Sequence, residues 1–449
     1  MNSDKYNISR RRLMQSMMLG GASLCFGNQW SVTAGPAPVK LAAGTARAKA
    51  VIQVWMWGGI SHLDTFDPKP DAGNDYCGSL KKTIETGVKG IQINESLPLL
   101  AAQMDKYSII RSMTHGINGH ETASYMVQTG RQPGDGLVYP AVGAVVSLKK
   151  GYDAGYNSLL PPYVVATEPL GRFSEAGFLG AAYKPFATGG DPAKEPFTVE
   201  GVVAPGITEQ RQKSRRELMH QLDQFESQVG ENPSFSKLGK AENDAYELIL
   251  GETGKVFDLT KEAGSLRDKY GRNSFGQACL LARRLVERGV LFVSINYKGW
   301  DTHKQHFSIM KTKLPEFDMG LATLLQDLSD KKLLDSTIVW CSGEFGRTPR
   351  VQWDSPWNGG RGHYGKVFSA VVAGGGFIPG RVVGSTDDKG ETVKDRPVYP
   401  GDLIGSMYQL LGIDPNGFLP HPQGRQVRLI PSATENATAG GLLKEIMQG

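Results

Sequence analysis

The chain has 449 residues, 40% hydrophobic and 21% charged, an ordinary composition for a soluble globular protein of one large domain or two smaller ones. Its net charge of +5, from 50 Lys and Arg against 45 Asp and Glu, is too weak a field to argue for a nucleic-acid partner. With 4 cysteines, one of them inside the N-terminal segment, the chain is not a disulfide scaffold.

Residues 1–37 read as a twin-arginine export signal. Ser9-Arg10-Arg11-Arg12-Leu13-Met14 precedes a short apolar stretch to Phe26, and cleavage is expected around Ala34 to Ala37. The stretch is too short for a stable span. The expected partner is the twin-arginine export machinery and the expected location is periplasmic or secreted. That route carries folded proteins, often with metal or cofactor aboard. A linker over residues 38–50 leads into an α/β domain over 51–430, followed by a tail over 431–449.

Six apolar, β-branched runs read as buried strands: Val51–Trp57, Tyr107–Met113, Pro162–Glu168, Val290–Tyr297, Ser336–Gly343 and Val367–Gly374. Helical periodicity marks "FGQACLLARRLVERG", "LPEFDMGLATLLQDLSDKKLL" and "DLIGSMYQLLG". The alternation predicts a three-layer α/β sandwich around a mostly parallel central sheet. Residues 189–273 break the rhythm and read as a helical insertion. Within it "ITEQRQKSRRELMHQLDQFESQV" and "KAENDAYELIL" have charged amphipathic patterns, and the basic cluster Arg211 to Arg216 reads as a solvated helix face.

In parallel α/β sheets ligands collect beyond the carboxyl ends of the strands. There the sequence places "GGISHLDTFDPKP", "THGINGHETASYMVQTG", "KGWDTHKQHF" and "EFGRTPR", and "NGGRGHYG" precedes the sixth strand. These segments hold Asp64, Asp301, His303, Glu344 and His363, residue types that bind divalent metals. Each also has a plainer reading. Asp64 could cap an Asx-turn, as Asp67 before Pro68 does; Glu344 could pair with Arg347; His363 could be an exposed loop residue. Arg347 and Arg361 suit an anionic group of a substrate. His306 is left outside the ligand set, Trp300 and Phe307 are expected to pack the loop onto the core, and a short helix is expected from Glu121, behind His115 and His120.

Taken together, "GGISHLDTFDPKP", "RSMTHGINGHETASYMVQTG", "GWDTH", "GEFGRTP", "GRGHYG", "AGGGFIPGRVVG" and "LGIDP" resemble the exported bacterial family catalogued as domain of unknown function 1501. The resemblance covers Val51 to Pro415. It implies a fold similar to the alkaline phosphatase and sulfatase superfamily, whose members hydrolyse phosphate or sulfate esters with bound divalent metals. By that resemblance Asp64 matches the first-strand ligand and His120 falls at the nucleophile position, nine residues before Thr129-Gly130. Asp301 and His303 stand two apart rather than four, Glu344-Phe345-Gly346 replaces Asp-His-Gly, and His363 serves as the last histidine.

The resulting expectation is a metal-dependent hydrolase of phosphate or sulfate esters, of small molecules or polysaccharide, with Zn, Ca, Mg or Mn as cofactor. Its metal ligands would be Asp64, Asp301, His303, Glu344 and His363. His120 would be catalytic, as the group that takes phosphate, and Arg347 would stabilise negative charge. Thr65, Thr122 and Ser124 are reserve nucleophiles. The alternative is a non-catalytic member that keeps the fold and binds a ligand or partner.

Overall fold

A computed structural model describes residues 46–134, 136–168, 175–195, 197, 199, 253–432 and 437–448. The export signal, most of the linker, Cys25 and the two charged helical patterns of the insertion, with Arg211 to Arg216, lie outside the described residues.

All six expected strands form, and they share one sheet of eight. Its strands, numbered in chain order, are β1 (Ala50–Met56), β2 (Tyr107–Met113), β3 (Tyr163–Val165), β4 (Phe186–Ala187), β5 (Phe292–Tyr297), β6 (Thr337–Ser342), β7 (Phe368–Ala373) and β8 (Val382–Val383). Across the sheet the order is β8-β2-β7-β6-β1-β5-β3-β4. Strand β1 lies at the centre, parallel to β5 and β6, with Val54 opposite Ile295 and Cys341. Every residue of β1 is buried, which is why its sequence is an apolar run broken only by Gln53 rather than an alternation.

The helices used below are α1 (His120–Thr129), α2 (Val142–Lys150), α3 (Ser274–Glu287), α4 (His306–Asp330) and α5 (Pro400–Leu410). Ile52, Val54 and Met56 of β1 join one apolar cluster with Leu281 of α3 and Leu321 of α4. Val51 and Trp55 join a second with Val145 of α2 and Met407 of α5. This period-two division of side chains makes the three layers. Helix α4 starts at His306, eight residues before the apolar periodicity begins at Leu314, and runs through Pro315. Cys77, Cys279 and Cys341 are buried free thiols.

Strand β7 alone runs against its neighbours β2 and β6. Its start therefore lies at the edge where the other strands end, and the Gly359–Gly365 segment joins their loops there. Short antiparallel pairing of His363 with Arg347 and Tyr364 with Gly346 fixes that segment on the loop after β6.

Candidate metal centre

Asp301, four residues beyond β5, receives nitrogens from three sides. His303 Nε2, His363 Nε2 and Arg347 Nη1 lie 3.0, 3.0 and 2.7 Å from its Oδ1, and His120 Nε2 lies 3.3 Å from Oδ2. His303 Nε2 and His363 Nε2 are 2.8 Å apart. His120, Asp301 and His363 each offer a ligand atom to a common point, with all three atoms within 4.8 Å of one another. The cluster is open on one side: the side chains of His363 and His303 are 20% and 36% exposed.

Behind this front, acceptors hold the Nδ1 sides of two rings so that their Nε2 atoms face inward. The His363 Nδ1–H donates to the Asn118 carbonyl at 2.7 Å, which leaves Nε2 as the nitrogen that faces Asp301 and His303. The His120 Nδ1–H donates to Glu344 Oε1 at 2.7 Å, and Gly58 N–H donates to the same oxygen at 2.9 Å. Glu344 is fully buried, and its Oε2 has no hydrogen-bond partner. Its backbone carbonyl accepts from His115 Nε2 at 2.7 Å, while His115 Nδ1 accepts from Ile117 N–H. Burial lowers His115 to about 4, so it is a neutral structural ring.

Electrostatics follow from these contacts. Burial pushes Asp301 up, but hydrogen bonds from His120 and His363 and the Arg347 charge outweigh it and hold the carboxyl far below its usual range. Hydrogen bonds to Asp301 and then Glu344 raise His120 to about 9. Burial and then the Arg347 charge lower His303. Without a cation, a proton on His120 Nε2 is what keeps its lone pair from facing the Asp301 carboxylate directly.

The ring planes are held by aromatic walls. Trp57 stacks on His120 at 4.6 Å between centroids, and Phe345, where the superfamily resemblance placed a histidine, stacks on His363 at 4.4 Å. Glycine is needed at the turn after β1: Gly58 has φ +107°, and a Cβ there would sit 2.3 Å from Asp301 N. At Gly360 a Cβ would sit 1.8 Å from the His303 carbonyl.

Three expected roles need correction. Asp64 is not brought to Asp301. It is 1% exposed and ion-paired with Arg361 (Nε to Oδ2 2.7 Å), and His306 Nε2 lies 2.9 Å from the same oxygen. Arg361 and then His306 overcome the larger upward push of burial and lower Asp64 to about 2. Glu344 stands behind His120 rather than beside Asp301. Arg347 does not face an open pocket: it is fully buried, and its guanidinium donates to Asp301, the Gly58 carbonyl and the Arg361 carbonyl. It reaches the front only through Asp301. His306, set aside in the sequence, is a buried partner of Asp64 and of Thr302 Oγ1 at 2.6 Å. Its position at the first turn of α4 is the signal that could have placed it, since burial of that turn follows from the helix starting early.

These features define a three-layer α/β protein with a nitrogen-rich, metal-type cluster at the carboxyl edge of its sheet. The family model described as "Protein of unknown function (DUF1501)" matches residues 48–437, so the chain belongs to that family. No curated protein matches the sequence. Among solved structures it is similar to the lipoteichoic acid synthase LtaP from Listeria monocytogenes, at 10% identity over 86% of this chain and 75% of that one, TM-score 0.38. It is similar to a protein in the alkaline phosphatase superfamily from Vibrio parahaemolyticus, at 14% identity over 82% and 67%, TM-score 0.37. The PsFucS1 sulfatase from Pseudoalteromonas sp. gives 13% identity over 82% and 68%, TM-score 0.34. Identities this low leave the chemistry to be read from the site itself.

Proposed function

We propose that the protein is an exported, metal-dependent hydrolase of phosphate or sulfate esters. One observation carries this reading: the Nε2 atoms of His120 and His363 and the Asp301 carboxylate offer ligand atoms within 4.8 Å of one another, with both rings tied at Nδ1 to acceptors behind them and His303 Nε2 beside His363 at 2.8 Å. A tetrahedral zinc with bonds of about 2.0–2.1 Å spaces its ligand atoms by roughly 3.3 Å. His120 Nε2 to Asp301 Oδ2 at 3.3 Å and His363 Nε2 to Asp301 Oδ1 at 3.0 Å are near that spacing, and all three ligand atoms lie within 4.8 Å of one another. Of Zn, Ca, Mg and Mn, the imidazole-containing set favours Zn over the harder, oxygen-preferring Ca, Mg and Mn.

When bound, such a cation would polarise an ester oxygen and make a bound water nucleophilic near neutral pH. The chain's own residues set the stage. His120, Asp301 and His363 would hold the cation, with His303 beside them. Glu344 fixes the His120 tautomer, and Arg347 fixes the orientation of Asp301. Trp57 and Phe345 keep the rings in place and exclude water from one side. His120 is used here as a ligand rather than as the group that takes phosphate. The reserve nucleophiles are engaged elsewhere: Thr65 donates to the Ser61 carbonyl and Thr122 to the Gly119 carbonyl, and Ser124 is buried. Export is supported by the paired arginines ahead of a short apolar stretch.

A second reading is a non-catalytic member that binds a ligand. It is favoured by Arg347, which already neutralises Asp301. The test is metal content of the purified protein together with hydrolysis of aryl phosphate and aryl sulfate, beside Asp301→Ala and His363→Ala. Metal and turnover in wild type, both lost in the variants, support the hydrolase. A metal-free, inactive wild type sinks it, and metal without turnover favours the binding role.

A further inference from the structure

The protein has 7 tryptophans, and the six among the described residues divide sharply. Trp55, Trp300 and Trp340 are fully buried in the core. Of the other three, two lie against rings of the candidate metal centre and the third stands on the turn beside it. Trp57 stacks on His120; Trp357 sits 6.2 Å from the His303 ring; Trp353 stacks on Phe307, one residue after His306, at 5.5 Å. Trp353 and Trp357 are 41% and 36% exposed, an unfavourable place for large apolar rings unless something covers them.

They are also held rigidly. The turn that carries them closes through Gln352 and Gly360, with Gln352 N–H donating to Gly360 O at 2.9 Å and Gly359 N–H to Gln352 O at 2.9 Å. Gln305 N–H donates to the Trp357 carbonyl and His306 N–H to the Gly359 carbonyl, each at 3.1 Å, which ties the turn to the start of α4 beside His303. Gly359, at φ +81°, lies close under the Trp353 ring: a Cβ there would sit 3.1 Å from it. Exposed indoles fixed beside a polar cluster are pre-organised for a ligand that is apolar on one face and hydrogen-bonding round its edge. A pyranose ring has that character: its C–H face packs on the electron-rich indole while its hydroxyls stay in water.

We propose that Trp353 and Trp357 form a stacking platform that holds a sugar ring of an esterified glycan, with the ester directed at His303, His363 and Asp301. The direction of the ester rests on the hydrolase reading; the sugar platform itself does not need it.

The test uses the full mature chain with dextran sulfate, a phosphorylated mannan and neutral dextran as probes, read by affinity electrophoresis and by quenching of tryptophan fluorescence. Wild type is expected to be retarded by at least one of the three. Trp353→Ala and Trp357→Ala should each weaken that binding about tenfold, the scale on which covering an aromatic face acts. Metal content and melting temperature, measured on the same variants, show that the fold is kept. Because the chain is basic overall, polyanion binding by charge alone is a real competitor. It would vanish at high salt and survive both substitutions, and that result overturns the platform. So does binding to none of the three probes, or loss of self-association rather than of glycan binding in the variants. Glycan binding that depends on both tryptophans while aryl esters are not hydrolysed would leave the platform standing and remove the hydrolase.

Discussion

Glu344→Gln offers the sharpest probe of the metal centre, because the residue touches no solvent and acts only through its neighbours. In wild type, Oε1 takes two donors, Gly58 N–H at 2.9 Å and His120 Nδ1–H at 2.7 Å. A glutamine keeps an oxygen there, since both partners are donors, and its amide nitrogen falls where Oε2 has no partner. Geometry is retained and the carboxylate charge is lost. A charge-assisted hydrogen bond is roughly twice as strong as a neutral one, so the expected loss is near the lower end of the about 10- to 100-fold fall in metal affinity that such supporting residues produce. Glu344→Ala removes the acceptor altogether, leaves both donors unpaired, and should fall toward the upper end. The assay is zinc affinity at pH 7.5 by competition with a fluorescent chelator, with bound metal counted by mass spectrometry and folding followed by circular dichroism. Both variants binding zinc within about twofold of wild type, while folded, would refute the assignment of Glu344 behind a metal-bound His120.

Four further outcomes follow from the same contacts. His120, raised to about 9, is protonated in the metal-free protein at neutral pH, so zinc must displace that proton. Apparent zinc affinity should rise about tenfold per pH unit from pH 6 toward 9, with a binding enthalpy that depends on buffer ionisation; a flat profile contradicts it. Asp64→Asn leaves Arg361 as a buried unpaired charge and should cost about 3–5 kcal/mol in urea unfolding. Asp64 has a folded pKa of about 2 against an ordinary 3.8, a depressed value, so its contribution is present above about pH 4 and lost as pH falls toward 2. That contribution is about 2 kcal/mol, and the acid limb of the stability curve should be shallower in Asp64→Asn. Gly58→Ala, with a Cβ 2.3 Å from Asp301 N at φ +107°, should lose metal and destabilise the fold by at least about 2 kcal/mol, read by the same two assays.

Much of this architecture is legible in the chain. Strands buried on both faces need largely apolar runs, as in β1, and the Tyr107–Met113 strand, built round Ile109 and Ile110, appears with the limits its sequence gives it. Two-residue strands such as Phe186–Ala187 carry no pattern, because they exist only by pairing with a neighbour already in place. Helix α4 shows the same division: its apolar stripe is readable from Leu314, whereas its first turn is fixed by contacts of His306 with Asp64 and Thr302.

The sequence by itself determined which residue types stand at the strand ends, since each sits a few positions beyond an unmistakable apolar run. Only the tertiary structure decided who meets whom. His120 finds Glu344 across 224 residues and Asp64 finds Arg361 across 297, and spacing along the chain holds no information about either choice. Buried charges must be neutralised by whichever partner the fold brings within hydrogen-bonding reach. For Asp64 that partner is an arginine, which draws it away from the cluster; for Asp301 it is three imidazoles and Arg347, which make it the centre.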